Sequence, residues 1–217
     1  YIPLSDKKPV YFNNRKNTFI RTGSGDQRAT DEEIDAMYRD SAFGTRSTMT
    51  VEDSSEEWLN KTSIGRYRDY VSRFNPEHGY NDLQMSDFLR KLRIVSEGKV
   101  THSGRLVFGE NDYIQRIYPD FRVDLLEVPG TSYSNAKQRY TFRVEEQENI
   151  WEYYFTLFNR IRQQVDLPFQ KINLEGFAVG EYPHLDALRE ALVNFLMHAD
   201  YFSTMKPRIR IFLDRIE

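Results

Sequence analysis

Two long amphipathic stretches set the strongest limit on how this chain can fold. In Ile150 to Val165 and in Leu185 to Met197, apolar residues recur at the spacing of one helix face. Pro168 stops the first stretch, and Tyr182-Pro183 introduces the second. Strand-like runs surround them: Phe121 to Val128, Tyr140 to Val144, and Arg208 to Leu213. Pro129-Gly130 turns the first run aside, and Lys206-Pro207 breaks the chain before the last. A helix stripe must be buried against another element, and short strands supply a sheet for it. The pattern predicts an α+β chain. On the first helix Trp151, Tyr154, Phe155 and Phe158 share one side, which is expected to pack on the strands near Phe121 and Tyr140.

Upstream, Tyr67, Tyr70, Val71 and Phe74 recur at helical spacing until Asn75-Pro76. Ser86 can cap a further helix whose apolar side carries Phe88, Leu89 and Leu92. Ile94-Val95, the turn Ser96-Glu97-Gly98 and Val100 suggest a two-stranded wing, so this part has a winged-helix-like outline. Thr101 to Gly109 reads as a helix closed by a glycine cap. Near the start, Pro9 to Phe12 and Thr18 to Thr22 read as two strands joined by the polar loop Asn13 to Asn17. Gly23-Ser24-Gly25 ends that pattern, and Thr30 with Glu33 forms a capping box for a helix to about Arg39. Ala42 to Asp53 lacks periodicity and reads as a linker. The opening at Tyr1 and the closing strand suggest a piece of something longer.

With 15 Phe and 14 Tyr, a core built on rings is expected. The absence of Cys excludes disulfides and zinc–thiolate sites and suits a reducing cytoplasm. No apolar run approaches the roughly 20 residues that span a bilayer, so no membrane partner is expected. The net charge is −3, but it is uneven: residues 1–30 carry six Lys/Arg against Asp6 and Asp26. Nucleic acid, if bound, is therefore expected at the N-terminal piece, where Arg15, Lys16, Arg21 and Arg28 are the candidate contacts. Arg15 and Lys16 sit between Phe12 and Phe19, a pattern shared by phosphate-contacting ribbons and by ordinary solvated turns.

Glu190, Asn194 and His198 lie four residues apart and so share a helix face, while Leu188, Leu192, Phe195 and Leu196 point elsewhere. A carboxylate one turn from a carboxamide suits a Mg-nucleotide site, since the first can orient water and the second can ligate the metal. A solvated polar stripe has the same spacing. A transition-metal site of Glu, Asn and His would need a further ligand that is not nearby. The glycines of Gly104 to Gly109 lack phosphate-loop spacing, so Walker-type chemistry has no support. His78, His102 and His184 read as surface or capping residues.

Several stretches together resemble one bacterial family. Phe19-Ile20-Arg21-Thr22-Gly23-Ser24 and Arg28-Ala29-Thr30 resemble the end of an Alba-type Schlafen domain, also called divergent AAA-4. Gly98-Lys99-Val100-Thr101, followed by Gly104, Leu106-Val107-Phe108-Gly109, is similar to the stretch that follows in RecG-related regulators. Tyr182-Pro183, Ala187 to Asn194 and His198-Ala199-Asp200-Tyr201 resemble the signature that opens their GHKL-type ATPase domain, with Ala199 where the family has Arg. The resemblance implies three parts. Residues 1–45 would end the DNA-binding domain, residues 46–175 would form a linking α+β module, and residues 176–217 would begin a GHKL-like α/β sandwich. It assigns Glu190 the water-orienting catalytic role and Asn194 the Mg ligand role in a longer parent, with His198 beside them on the cofactor-binding face.

The function implied is a DNA-binding transcriptional regulator that responds to nucleotide. The chain alone is expected to bind DNA weakly, to hold no cofactor and not to be an enzyme. Mg-ATP belongs to the parent. The alternatives are an ATP hydrolase coupling nucleotide state to DNA, and a structural connector that brings copies together as a homo-oligomer.

Overall fold

Asn60 begins the first long helix by capping it. Its Oδ1 accepts from the Ser63 amide at 2.9 Å, and the helix, α2 (Lys61–Phe74), ends at Asn75 as the sequence predicts. The computed structural model describes residues 8–23, 25–41, 46–164, 171–172, 178–179 and 183–217. Ahead of α2 lie β1 (Phe19–Thr22), β2 (Gly25–Arg28) and α1 (Asp31–Ser41). After it come α3 (Met85–Lys91), the wing β3 (Val95–Ser96) and β4 (Lys99–Val100), α4 (His102–Phe108) and α5 (Asn111–Gln115). The chain then forms β5 (Asp124–Glu127), β6 (Phe142–Arg143), α6 (Ile150–Gln164), β7 (Lys171–Ile172), β8 (Ala178–Val179), α7 (Pro183–His198) and β9 (Arg208–Ile211). The chain is α+β. Pro168 and Tyr182 lie outside the described residues, as do residues 42–45 of the expected linker.

The wing turns on Glu97 and Gly98, both in the left-handed region at φ 53 and 75, the geometry of a tight two-residue hairpin. Thr101 then starts α4 by accepting from the Gly104 amide at 3.0 Å. A Cβ on Gly104 would strike the Ile94 backbone, so this glycine lets α4 lie directly on the wing. Gly109 ends α4 at φ −66, so it is not the left-handed cap expected. It bridges to Leu59 instead. Ser86 falls inside the first turn of α3, and Gln84 occupies the cap position without a side-chain bond. Residues 50–53, expected in a linker, run along the wing: the Val51 amide donates to the Val100 carbonyl at 2.8 Å, and Val51 is buried. Phe88, Leu89, Val95, Val100 and Phe108 form the core of this module with Leu59 and Ile64.

A second core joins Phe121, Leu125, Tyr153, Leu157, Leu192, Leu196, Ile209 and Ile211. Its sheet has the order β6-β5-β9, with β5 antiparallel to β6 and parallel to β9. The boundary expected near residue 175 thus falls between α6 and α7, whose side chains share this one core. On α6 the buried residues are Ile150, Tyr153, Leu157 and Ile161. The Trp151/Tyr154/Phe155/Phe158 stripe is half-buried and divides: Trp151 meets Tyr67 and Phe155 meets Tyr70 of α2, the latter with ring centroids 6.3 Å apart, while Tyr154 and Phe158 pack against the edge of the sheet's core. The expectation that this stripe packs on the sheet therefore holds for Tyr154 and Phe158 and is corrected for Trp151 and Phe155. The mostly aliphatic side of the helix is the one that is fully buried against the strands.

No helix among the described residues is long and apolar enough to cross a membrane.

Candidate nucleic-acid interface and helix-face site

At the N-terminus the local bonding presents basic side chains outward. Asn14 Oδ1 accepts from the Lys16 amide at 3.0 Å, and Thr18 Oγ1 donates to the Arg15 carbonyl at 2.8 Å. These bonds fold Arg15–Asn17 into a short 3-10 turn and leave Arg15 and Lys16 exposed. The expected strand Pro9 to Phe12 reduces to a single bridge, Tyr11 to Thr18, because Asn13 enters the left-handed region and the Asn14 turn diverts the chain. The hairpin forms one step later, between β1 and β2, where Thr22 pairs with Gly25.

In that hairpin Phe19 stands opposite Arg28, and Arg21 opposite Asp26. Side chains alternate across a strand, so Phe19, Arg21, Asp26 and Arg28 share one face. The Arg28 guanidinium lies 5.9 Å from the Phe19 ring centroid. Arg21 Nη1 is 3.0 Å from Asp26 Oδ1, but both side chains are more than two-thirds exposed, and such a pair holds weakly. Phe12 and Phe19 are also exposed. The capping box holds as predicted: the Thr30 amide donates to Glu33 Oε2 at 2.8 Å, and the Glu33 amide to Thr30 Oγ1 at 3.2 Å.

On α7, Leu192 and Leu196 enter the core and Glu190, Asn194 and His198 are exposed, the division the spacing predicts. Asn194 Nδ2 donates to Glu190 Oε1 at 3.2 Å. Asn194 and His198 also line an open cleft of about 530 Å³ with Asp200, Ser203 and Met205, and Glu190 stands outside that lining. Among the described residues no cluster of three or more His, Cys, Asp or Glu could hold a metal ion.

Three features escaped the sequence reading. His102 is not a lone surface residue: its Nδ1 lies 2.6 Å from the Tyr118 hydroxyl, and both line a largely apolar cavity of about 190 Å³ beside Leu196 and Phe202. Arg105 is buried, donates through Nε to the Tyr113 carbonyl at 2.9 Å and lies 3.7 Å from that ring's centroid. Burial lowers the pKa of its guanidinium. Asp124 is buried among arginines. Burial would raise its carboxyl, but bonds from Arg143 and Arg208 and the charge of Arg122 hold it below the ordinary carboxylate value. The alternation Arg208-Ile209-Arg210-Ile211 was the available signal for this last feature.

A family described as a domain of unknown function, DUF8451, matches residues 35–124. No curated protein matches the chain. Among solved structures, the DIP2311 protein from Corynebacterium diphtheriae is similar in fold, with a TM-score of 0.54 and 18% identity. The similarity covers 91% of this chain and 37% of that one.

Proposed function

We propose that this chain is part of a DNA-binding regulator of the RecG-related, Alba/Schlafen type, in which residues 8–41 contact DNA and α7 and β9 begin a nucleotide-responsive GHKL-like unit. The observation that carries the reading is the exposed hairpin face of Phe19, Arg21 and Arg28, with Arg15 and Lys16 displayed beside it. Five side chains of that kind on one small unit suit a phosphate backbone: the cations neutralise charge and the rings pack on sugar or groove edges. The remainder of the chain is net acidic, which favours binding through this end. A nucleotide role draws support from the Glu190–Asn194 hydrogen bond on the exposed face of α7.

Titration of labelled duplex DNA at several salt concentrations tests the reading. Arg15→Ala with Lys16→Ala, and separately Arg21→Ala with Arg28→Ala, should each weaken binding equally across sequences. Each double variant should flatten the salt slope by about 1.8, because every phosphate left without its cation removes about 0.9. Slopes identical to the parent in both variants would remove the hairpin from the interface.

A further inference from the structure

The face of the sheet turned away from α6 and α7 concentrates positive charge in a chain whose net charge is −3. In β9, Ile209 and Ile211 enter the core and Arg208 and Arg210 take the other side. Arg208 stands opposite Asp124, and both Arg210 and Arg143 stand opposite Leu126, so all three arginines share one face. Asp124 accepts from Arg143 at 2.8 Å and from Arg208 at 3.2 Å, and it lies 3.3 Å from Arg122 Nε. One buried carboxylate therefore orients three guanidiniums and neutralises only one of them. Of the three, Arg208 reaches the neighbouring cleft; it spends one donor of its five on Asp124 and keeps the others for another acceptor.

The loop 131–140 rises beside this face. Tyr133, Lys137 and Arg139 from the loop, with Arg208 and Arg210 from β9, line an open cleft of about 690 Å³. Tyr133 is partly exposed, edge-on to Phe212 with centroids 5.6 Å apart, and the Arg210 guanidinium lies 5.9 Å from its ring. Among nearby acids, Glu217 lies 3.7 Å from Arg210 and 2.7 Å from Arg215, and Asp214 lies 3.0 Å from Arg215.

We propose that this cleft binds single-stranded nucleic acid, its cations holding backbone phosphates and Tyr133 stacking on a base. Oriented guanidiniums beside an exposed ring form a stacking platform in a positive groove, which an unpaired strand can use and a duplex, whose base faces are already stacked, cannot. The proposal rests on the reading of the chain as DNA-binding but assigns the interface to a different element.

The test is anisotropy of a labelled oligothymidine of about 20 nucleotides, longer than a typical single-strand site, titrated with the full chain at several salt concentrations. Lys137→Ala with Arg139→Ala, both on the exposed loop, should weaken binding and flatten the salt slope by about 1.4, at about 0.7 per phosphate for single strands. The charge-preserving pair Lys137→Arg with Arg139→Lys should keep the parent slope. Tyr133→Leu should weaken binding several-fold without changing the slope. The weakening caused by the loop variant should persist when Arg21 and Arg28 are also Ala. That result, with no effect of the hairpin changes alone on oligothymidine binding, would place the single-strand site at the cleft and not at the hairpin. A loop variant that binds oligothymidine like the parent, or a parent that binds none, overturns the cleft, and the duplex titration then decides the hairpin separately. Equal far-ultraviolet circular dichroism establishes that the variants are folded.

Discussion

Trp151 on α6 meets Tyr67 on α2 edge to face, with ring centroids 5.0 Å apart and planes at 88°. This is the aromatic joint between the winged module and the sheet module. Beneath it Glu152 accepts from Ser63 Oγ at 2.8 Å and from Arg66 Nη1 at 2.6 Å, and Asn149 Nδ2 donates to Ser63 Oγ at 3.2 Å. The residues of α6 therefore do different things: Tyr153, Leu157 and Ile161 fill the sheet's core, and Trp151 and Phe155 hold the neighbouring module.

That division predicts unequal costs. Leu157 is fully buried, so Leu157→Ala should cost roughly 2–5 kcal/mol. Phe155 is half-buried, and Phe155→Ala should cost about 1 kcal/mol, near half of what full burial of a Phe contributes. Urea unfolding of both variants measures the difference, and equal losses would mean that the aromatic stripe is as deeply packed as the aliphatic one.

Gly104→Ala should destabilise by roughly 1–3 kcal/mol, the usual range for an overpacked core. A methyl there meets the Ile94 carbonyl and Cα, which are backbone and yield little. The thermal midpoint checks this, and an unchanged midpoint would show that α4 can lift from the wing without cost.

Asp124 sets an acid limit on stability. Its folded pKa lies below the unfolded value of about 3.9, so its contribution is complete above that pH and is lost as pH falls through the folded value. Asp124→Asn should cost about 2–3 kcal/mol at neutral pH. That is less than the roughly 3–5 for breaking a fully buried pair, because Arg143 and Arg208 are more than a third exposed. Urea midpoints between about pH 2 and 6 should converge for parent and variant at the acid end. Parallel curves would assign the acid loss to other carboxylates.

At the alkaline end Tyr201 acts in the opposite direction. Burial, and secondarily the charge of Tyr153, raise its pKa, and its hydroxyl donates to the Leu196 carbonyl at 2.8 Å. Its contribution is complete below the unfolded value of about 10 and is lost as pH rises beyond it, because the unfolded chain ionises first. Tyr201→Phe should cost about 1 kcal/mol at pH 7 for the missing hydrogen bond and should lose less stability between pH 9 and 11. A variant as alkali-sensitive as the parent would place that sensitivity in other tyrosines.

The chain alone should give no saturable heat with Mg-ATP at millimolar concentration. Glu190 and Asn194 sit on an exposed helix face, and a hydrated Mg ion is held chiefly through phosphates that a protein has already fixed. A submillimolar isotherm abolished by Asn194→Ala would reveal a nucleotide pocket built on α7.

Local chemistry makes much of this protein legible in its amino-acid sequence. The 3.6 period places α2, α6 and α7, Thr30 and Glu33 mark the start of α1, and Glu97-Gly98 marks the wing, because caps and tight turns depend on residues within four positions of one another. The exposure of Glu190, Asn194 and His198 follows from the same periodicity. Tertiary packing decides the rest. Which stripe of α6 meets the sheet depends on the shape of a surface made from β5, β6 and β9, and no local period encodes that shape. The parallel pairing of β5 with β9 joins Asp124 to Arg208 across 84 residues of chain, and the cluster of arginines around one buried carboxylate exists only because that pairing forms.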